Sequence, residues 1–167
     1  LGSPITIAWY PGNIICRISG TDYGSTIGGG ASNCLITAAC YSPIAGGYFN
    51  SSTAANTFIG GRCSNQSTSN GSVVVGGLNN TNSGTLSSIG GGINHTITGN
   101  CSFVGGGCDN CITGTNSFVG GGLLNDVLNS TSVIAGGYNN SLSATVTAIA
   151  GGRDNCITLT GACSFIG

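Results

Sequence analysis

The chain predicts an all-β fold: a β-solenoid, or β-roll, of coils about 15 residues long with two short strands per coil. Three observations carry this reading. First, an Ile or Val followed by glycines recurs at Ile27, Ile44, Ile59, Val74, Ile89, Val104, Val119, Ile134, Ile149 and Ile166. The intervals are 17, then seven of 15, then 17. Second, Gly (32), Ser (21), Thr (18) and Asn (18) make up more than half of the 167 residues, and all are poor helix formers. Third, a 15-residue period is too short for a helix-containing repeat, but it suits coils stacked through backbone hydrogen bonds about 4.8 Å apart. A flexible Gly-rich linker would not keep the apolar phase.

Taken in order, residues 1–24 fit the repeat poorly. They read as a degenerate first coil, a cap or a junction. Cys16 to Gly20 resembles half a coil, and Trp9, Tyr10 and Pro11 would close an end of the solenoid. Residues 25–167 form the repeat domain, about nine coils ending in mid-repeat, as in a segment of a longer chain. Its clearest copy begins Ser102-Phe103-Val104-Gly105-Gly106-Gly107-Cys108-Asp109-Asn110-Cys111-Ile112-Thr113-Gly114. Counting Ser102 as position one, position three is always Ile or Val and position five always Gly. Position six is Gly except at Arg62. Position nine is Asn except at His95, and position eleven is Ile or Leu in the clear copies. The position-five Gly is expected to need a positive φ or a close backbone approach. The repeated Asn is expected to form a coil-to-coil ladder or to hold a left-handed turn.

Neighbouring strand residues face opposite ways. Position three (Ile27, Ile44, Ile59, Val74, Ile89, Val104, Val119, Ile134, Ile149) is therefore the expected structural core. Position two then faces outward, yet it is often large and apolar: Phe58, Val73, Phe103, Phe118, Val133 and Phe165. Such a row would be a sticky patch on a solitary roll, and the core of a 15-residue coil is thin. These residues are expected to lie between subunits of a cyclic homo-oligomer, in the first instance a homotrimer.

The Ser-Phe-Val-Gly-Gly-Gly units at 102–107 and 117–122, and Ser-Val-Ile-Ala-Gly-Gly at 132–137, resemble the head repeats of trimeric autotransporter adhesins. The unit is also similar to Gly-Gly-Gly-x-x-Asn arrays in fibre proteins of phages and large viruses. The resemblance spans residues 25–167 and implies a left-handed, trimeric β-roll. It further implies a structural role on a virion surface or another extracellular surface, as a fibre or appendage in host attachment or particle decoration. Autotransporter passengers generally avoid cysteine, and this chain has nine, which favours the virion fibre over a bacterial adhesin head. The implied partners are further copies of the chain, a host surface receptor or glycan, and other fibre or virion proteins.

Two candidate disulfides, Cys34 with Cys40 and Cys156 with Cys163, each fall in one of the two longer coils. Cys108-x-x-Cys111 lacks the second pair of ligands that a zinc site needs, so no metal or cofactor is expected. Asp109 and Asp154 share position eight but lie three coils apart, about 14 Å by stacking. They read as turn residues rather than paired catalytic carboxylates. One His cannot complete a Ser-His-Asp arrangement, and with no Lys there is no phosphate loop. No enzymatic activity is expected. Three basic residues and a net charge of −1 leave no footprint for nucleic acid, and no apolar run is long enough to span a membrane as a helix. A third class, an ice- or lattice-binding solenoid, would need a regular Thr row. The best row is interrupted by Ser83, Leu128 and Ser143.

Overall fold

The structure, a computed structural model, describes residues 14–15, 24–36 and 39–167. The expected cap over residues 1–24 lies outside the described residues, apart from Gly24 and the strand Ile14–Ile15. The described chain is all-β: eighteen two-residue strands stack as a β-solenoid of about nine turns.

Two parallel sheets run along the roll. One holds ten strands, from Ile14–Ile15 (β1) through Cys34–Leu35 (β2) and Ser51–Ser52 (β3) to Cys156–Ile157 (β17). From β2 onward these strands occupy positions ten and eleven. The other holds eight strands at positions two and three, from Phe58–Ile59 (β4) to Phe165–Ile166 (β18). Each strand pairs with the equivalent residues of the next coil, as Phe103 with Phe118 and Cys111 with Asp126. A third column of single parallel bridges runs up position seven, from Ala31 through Cys63 and Cys108 to Arg153. The two longer intervals are absorbed without loss of register. Cys34 still pairs with Ser51, and Ala148 with Phe165.

The strands are short because each coil turns at fixed left-handed residues. Position eight has φ between 53° and 59° from Ser32 to Asp154, and position fifteen is left-handed as well. Bulky residues occupy both, among them Phe49, Leu86, Leu124, Thr131 and Val146. The left-handed region costs an L-residue roughly 1–2 kcal/mol. The turn N–H groups offset part of this cost by bonding to the coil below, as Thr131 N to Thr115 O at 2.8 Å and Asn79 N to Cys63 O at 3.0 Å.

The left-handed backbone that favours glycine falls at position six rather than at position five, and glycine fills it in every coil but that of Arg62, whose φ is 66°. Gly107, Gly122 and Gly137 have φ of 94°, 93° and 106°. A Cβ on Gly107 would sit 2.1 Å from the carbonyl oxygen of Gly122. At position five, only Gly61 and Gly91 have φ in the positive range, and a Cβ on Gly136 or Gly151 would meet nothing within 4 Å. The expectation of a positive φ is therefore corrected by one residue, to the corner, while stacked backbones also approach closely at position four, where a Cβ on Gly60 or Gly105 would lie 1.9 or 2.3 Å from a carbonyl oxygen of the next coil.

Inside, the position-three side chains from Ile27 to Ile149 are at most 1% exposed. Position eleven faces them from the other sheet with Leu35, Ile97, Ile112, Val127, Leu142 and Ile157. It departs from its Ile/Leu pattern in three successive coils, where Ser52, Ser67 and Asn82 are fully buried. Each finds a partner across the core. The Ser52 and Thr57 hydroxyls lie 2.5 Å apart, as do those of Ser67 and Ser72. Asn82 Nδ2 donates to the Ser87 and Val73 carbonyls.

Two side-chain ladders close the corners. The Asn ladder bonds from coil to coil as expected from the sequence. Asn125 Nδ2 donates to Asn110 Oδ1 (3.1 Å), to Gly121 O in its own coil (3.0 Å) and to Gly137 O in the next (3.0 Å). A second ladder, not anticipated from the repeat, runs up position one. The Ser117 N–H donates to Ser102 Oγ (3.1 Å), and that hydroxyl donates to Gly114 O (2.9 Å).

Candidate functional site

The face built by positions two to five of the eight-stranded sheet is the part of the surface with the most distinctive chemistry. Position two places Phe58 and Val73 half-buried. Phe103, Phe118 and Val133 are 38–40% exposed, and Phe165 is 69% exposed on the last coil. Phe103 and Phe118, paired in register, stack with ring centroids 5.7 Å apart and planes 20° from parallel. Ser88 and Ala148 interrupt the row.

The rings do not stand off the sheet. Each folds back over position four of its own strand. A Cβ on Gly60, Gly105 or Gly120 would lie 3.4, 3.6 or 3.3 Å from Cε1 of Phe58, Phe103 or Phe118 respectively. Wherever position two is Phe, position four is Gly, including Gly167 after Phe165. Where position two is Val or Ala, position four is Val75, Ala135 or Ala150. The pairing of Phe with Gly holds in every Phe-containing strand, while Val73 stands with Val75 and Ser88 with Gly90. No charged residue occupies positions two to five in any coil. The repeat unit conceals this pairing when each position is read alone. The signal that finds it is the F-x-G against V-x-A contrast within a single strand.

The ionisable groups lie elsewhere and meet in local pairs, such as Cys108 with Asp109 and Arg153 with Asp154. Asp109 and Asp154 sit in left-handed turns, with φ of 53° and 57°. Hydrogen bonds from Cys108 and Asn94 hold the Asp109 carboxyl below the usual carboxylate range. Asn139 Nδ2, 2.8 Å from Asp154 Oδ1, does the same for Asp154, helped by Arg153. Arg153 pairs with Asp154 at 3.0 Å and lies over the Tyr138 ring at 4.9 Å. Asp126 lies on the ten-stranded sheet, where burial raises its carboxyl. Among the described residues, no group of three or more His, Cys, Asp or Glu is placed to hold a metal ion.

Of the four cysteines in the candidate disulfides, Cys34 and Cys40 are both half-buried in the first long coil. Cys156 and Cys163 are free, exposed thiols, so the second candidate bridge is not formed. The physical reason is their placement. Cys156 lies on the ten-stranded sheet, while Cys163 lies in the turn before Phe165–Ile166 and lines a shallow groove of the other sheet with Val133, Val146 and Phe165. Cys108 donates to Asp109 Oδ2 at 3.0 Å, which raises its thiol.

No family model matches the chain, and no similar protein was found among the curated ones.

Proposed function

We propose that this chain is a structural and interaction module: a β-roll segment of a surface fibre, assembled as a homotrimer through the apolar face. A virion appendage serving host attachment or particle decoration is the setting that fits best. The observation that carries the reading is the face itself. Phe103, Phe118 and Val133 are each more than a third exposed in the single chain. They form one continuous, uncharged row, which a protein rarely leaves open to water. A second copy has the same coil spacing and so meets the row in register along its whole length. Well-packed interface cores likewise combine apolar residues with few charges.

The resemblance of the Ser-Phe-Val-Gly-Gly-Gly units to trimeric fibre and adhesin repeats supports three copies, a left-handed roll and a position on a virion or cell surface. The abundance of cysteine supports the virion over the bacterial surface. A receptor or glycan would bind such a fibre outside the packed face.

The test is the native mass in solution by light scattering, for the wild-type chain and for F103S/F118S. The expected wild-type mass is three times the 16.3 kDa chain. The double variant is expected to keep its β-sheet circular dichroism while its mass falls toward one chain. A monomeric wild type would overturn the assembly and, with it, the fibre.

A further inference from the structure

The Asn ladder is interrupted once, at His95, and the interruption is chemically different from every other rung. His95 is fully buried. Its backbone N–H donates to Asn80 Oδ1 at 2.9 Å, as an Asn at this place would. Its ring Nδ1 then accepts the Asn110 N–H at 3.1 Å, standing in for the amide oxygen of the other rungs. Because Nδ1 accepts, the ring is neutral and its proton is on Nε2. An Asn rung donates twice more: Asn80 Nδ2 bonds Gly76 O (2.9 Å) and Gly92 O (3.1 Å), and Asn110 Nδ2 bonds Gly106 O (3.0 Å) and Gly122 O (3.1 Å). His95 Nε2 has no hydrogen-bond partner in the structure. On either side of His95 the backbone bonds to the next coil are still formed, Ile93 N to Gly107 O and Thr96 N to Asn110 O, both at 3.1 Å.

We propose that His95 is an acid-sensitive rung, and that its protonation opens the roll between the coil of His95 and the coil of Asn110. A proton taken from solvent by Nδ1 uses the lone pair that accepts the Asn110 N–H. Two donors then face each other, and a positive charge sits in a corner without a carboxylate in contact. Every other rung is an amide that does not titrate, so the roll responds to acid at one height.

The surroundings leave the response to His95. The coil below, residues 72–86, carries no titratable side chain, and its own coil carries only Cys101. The coil above carries Cys108, Asp109 and Cys111. Both of these thiols are raised, so they stay neutral in acid. The neighbouring backbone, Gly107 included, and the charged Asp109 favour the proton, but burial outweighs them and lowers the His95 pKa from its ordinary value. The sign follows. Below the ordinary value of about 6.5 an opened ring binds a proton and the closed one does not. Opening therefore grows as pH falls, by up to about tenfold per pH unit until the lowered pKa of the closed state is passed.

Amide hydrogen exchange on the full chain, corrected for the intrinsic rate at each pH, reads this at single coils. Between about pH 7.5 and about pH 5, protection of the Asn110 N–H is expected to fall severalfold. Protection at Asn65 and Asn125, whose acceptors are amides, is expected to hold. H95N restores the ladder and is expected to make Asn110 as insensitive to pH as Asn125. Loss of protection that persists in H95N, or an Asn110 amide that stays protected in acid, would overturn the proposal. So would His95 ring resonances titrating at or above the ordinary value, a measurement that needs no variant.

Discussion

The two ends of the roll share one backbone but not one interior. From Ile97 to Ile157, position eleven is aliphatic and packs on Val104, Val119, Ile134 and Ile149 in a single apolar cluster that begins at Val74. From Ser52 to Asn82 the same position is polar, and the apolar core breaks. Ile27, Leu35, Ala39, Ile44 and Ile59 form a separate cluster. The strands, turns and register continue across the break unchanged. The backbone of a coil is therefore held by its ladders and corners, and what fills it is a second, partly independent choice. Each buried Ile gains roughly 1.5–3 kcal/mol over an exposed one, whereas a satisfied hydroxyl pair gains about 1 kcal/mol. In a solenoid each coil touches only its neighbours. The coils around Ser52 and Ser67 are accordingly the expected place for the roll to divide when it unfolds.

The strongest way to break this contrast is to exchange the interiors. Ile112→Ser removes a fully buried aliphatic side chain from the larger cluster and leaves a small hydroxyl in its place, with Ser117 where Ser67 has Ser72. Denaturant unfolding should show a loss of about 3–5 kcal/mol, and a loss below 1 would mean the cluster is not the source of stability there. Next come the corners, which the two halves share. Gly77→Ala and Gly107→Ala would each push a Cβ to within 2.2 Å or less of a carbonyl oxygen in the next coil, at positive φ. Both should cost about 2–4 kcal/mol, and by similar amounts. Gly106→Ala, whose Cβ would meet only a carbonyl 4.0 Å away, should leave thermal stability almost unchanged.

A smaller effect is expected in the polar half. Asn82→Ala removes donors to Val73 O and Ser87 O and the acceptor of the Gly84 N–H, at a cost of about 1–3 kcal/mol. Asn82→Leu would show whether the break can be healed: a rise in unfolding cooperativity would mark the joining of the two clusters. The smallest effect concerns Asp126. Its carboxyl is raised by burial, so the folded state prefers the protonated form. That preference contributes stability at low pH and is lost as pH rises through the raised value, the reverse of His95. Asp126→Asn should therefore stabilise the neutral-pH protein by a few tenths of a kcal/mol, since the site is partly open to solvent. Melting curves at two pH values would check it.

Much of the roll is legible residue by residue. The period of Ile27 to Ile166 locates the core because every coil must bury one β-branched residue at the same place. The repeated Asn reads as a ladder because an amide can accept and donate along the stacking direction at once. Other features were hidden because they depend on pairs. The Ser ladder is invisible at position one until the carbonyl of position thirteen in the same coil and the N–H of the next position one are seen to meet it. The Phe-Gly pairing on the outer face needs the ring's direction, which no period reports. The left-handed turns at Leu86, Leu124 and Val146 run against local preference and are set by the stacking of coils above and below.

By itself, the sequence determined the coil length, the inward phase and the absence of charge from one face, because these follow from which residues recur and how far apart. The tertiary structure alone decided which glycine takes the left-handed backbone, how the buried polar residues from Ser52 to Asn82 are satisfied, and that His95 faces a backbone N–H with no other acceptor for it. Those outcomes depend on atoms from neighbouring coils meeting across about 4.8 Å, a distance at which a single methyl group or a single proton changes what can stack.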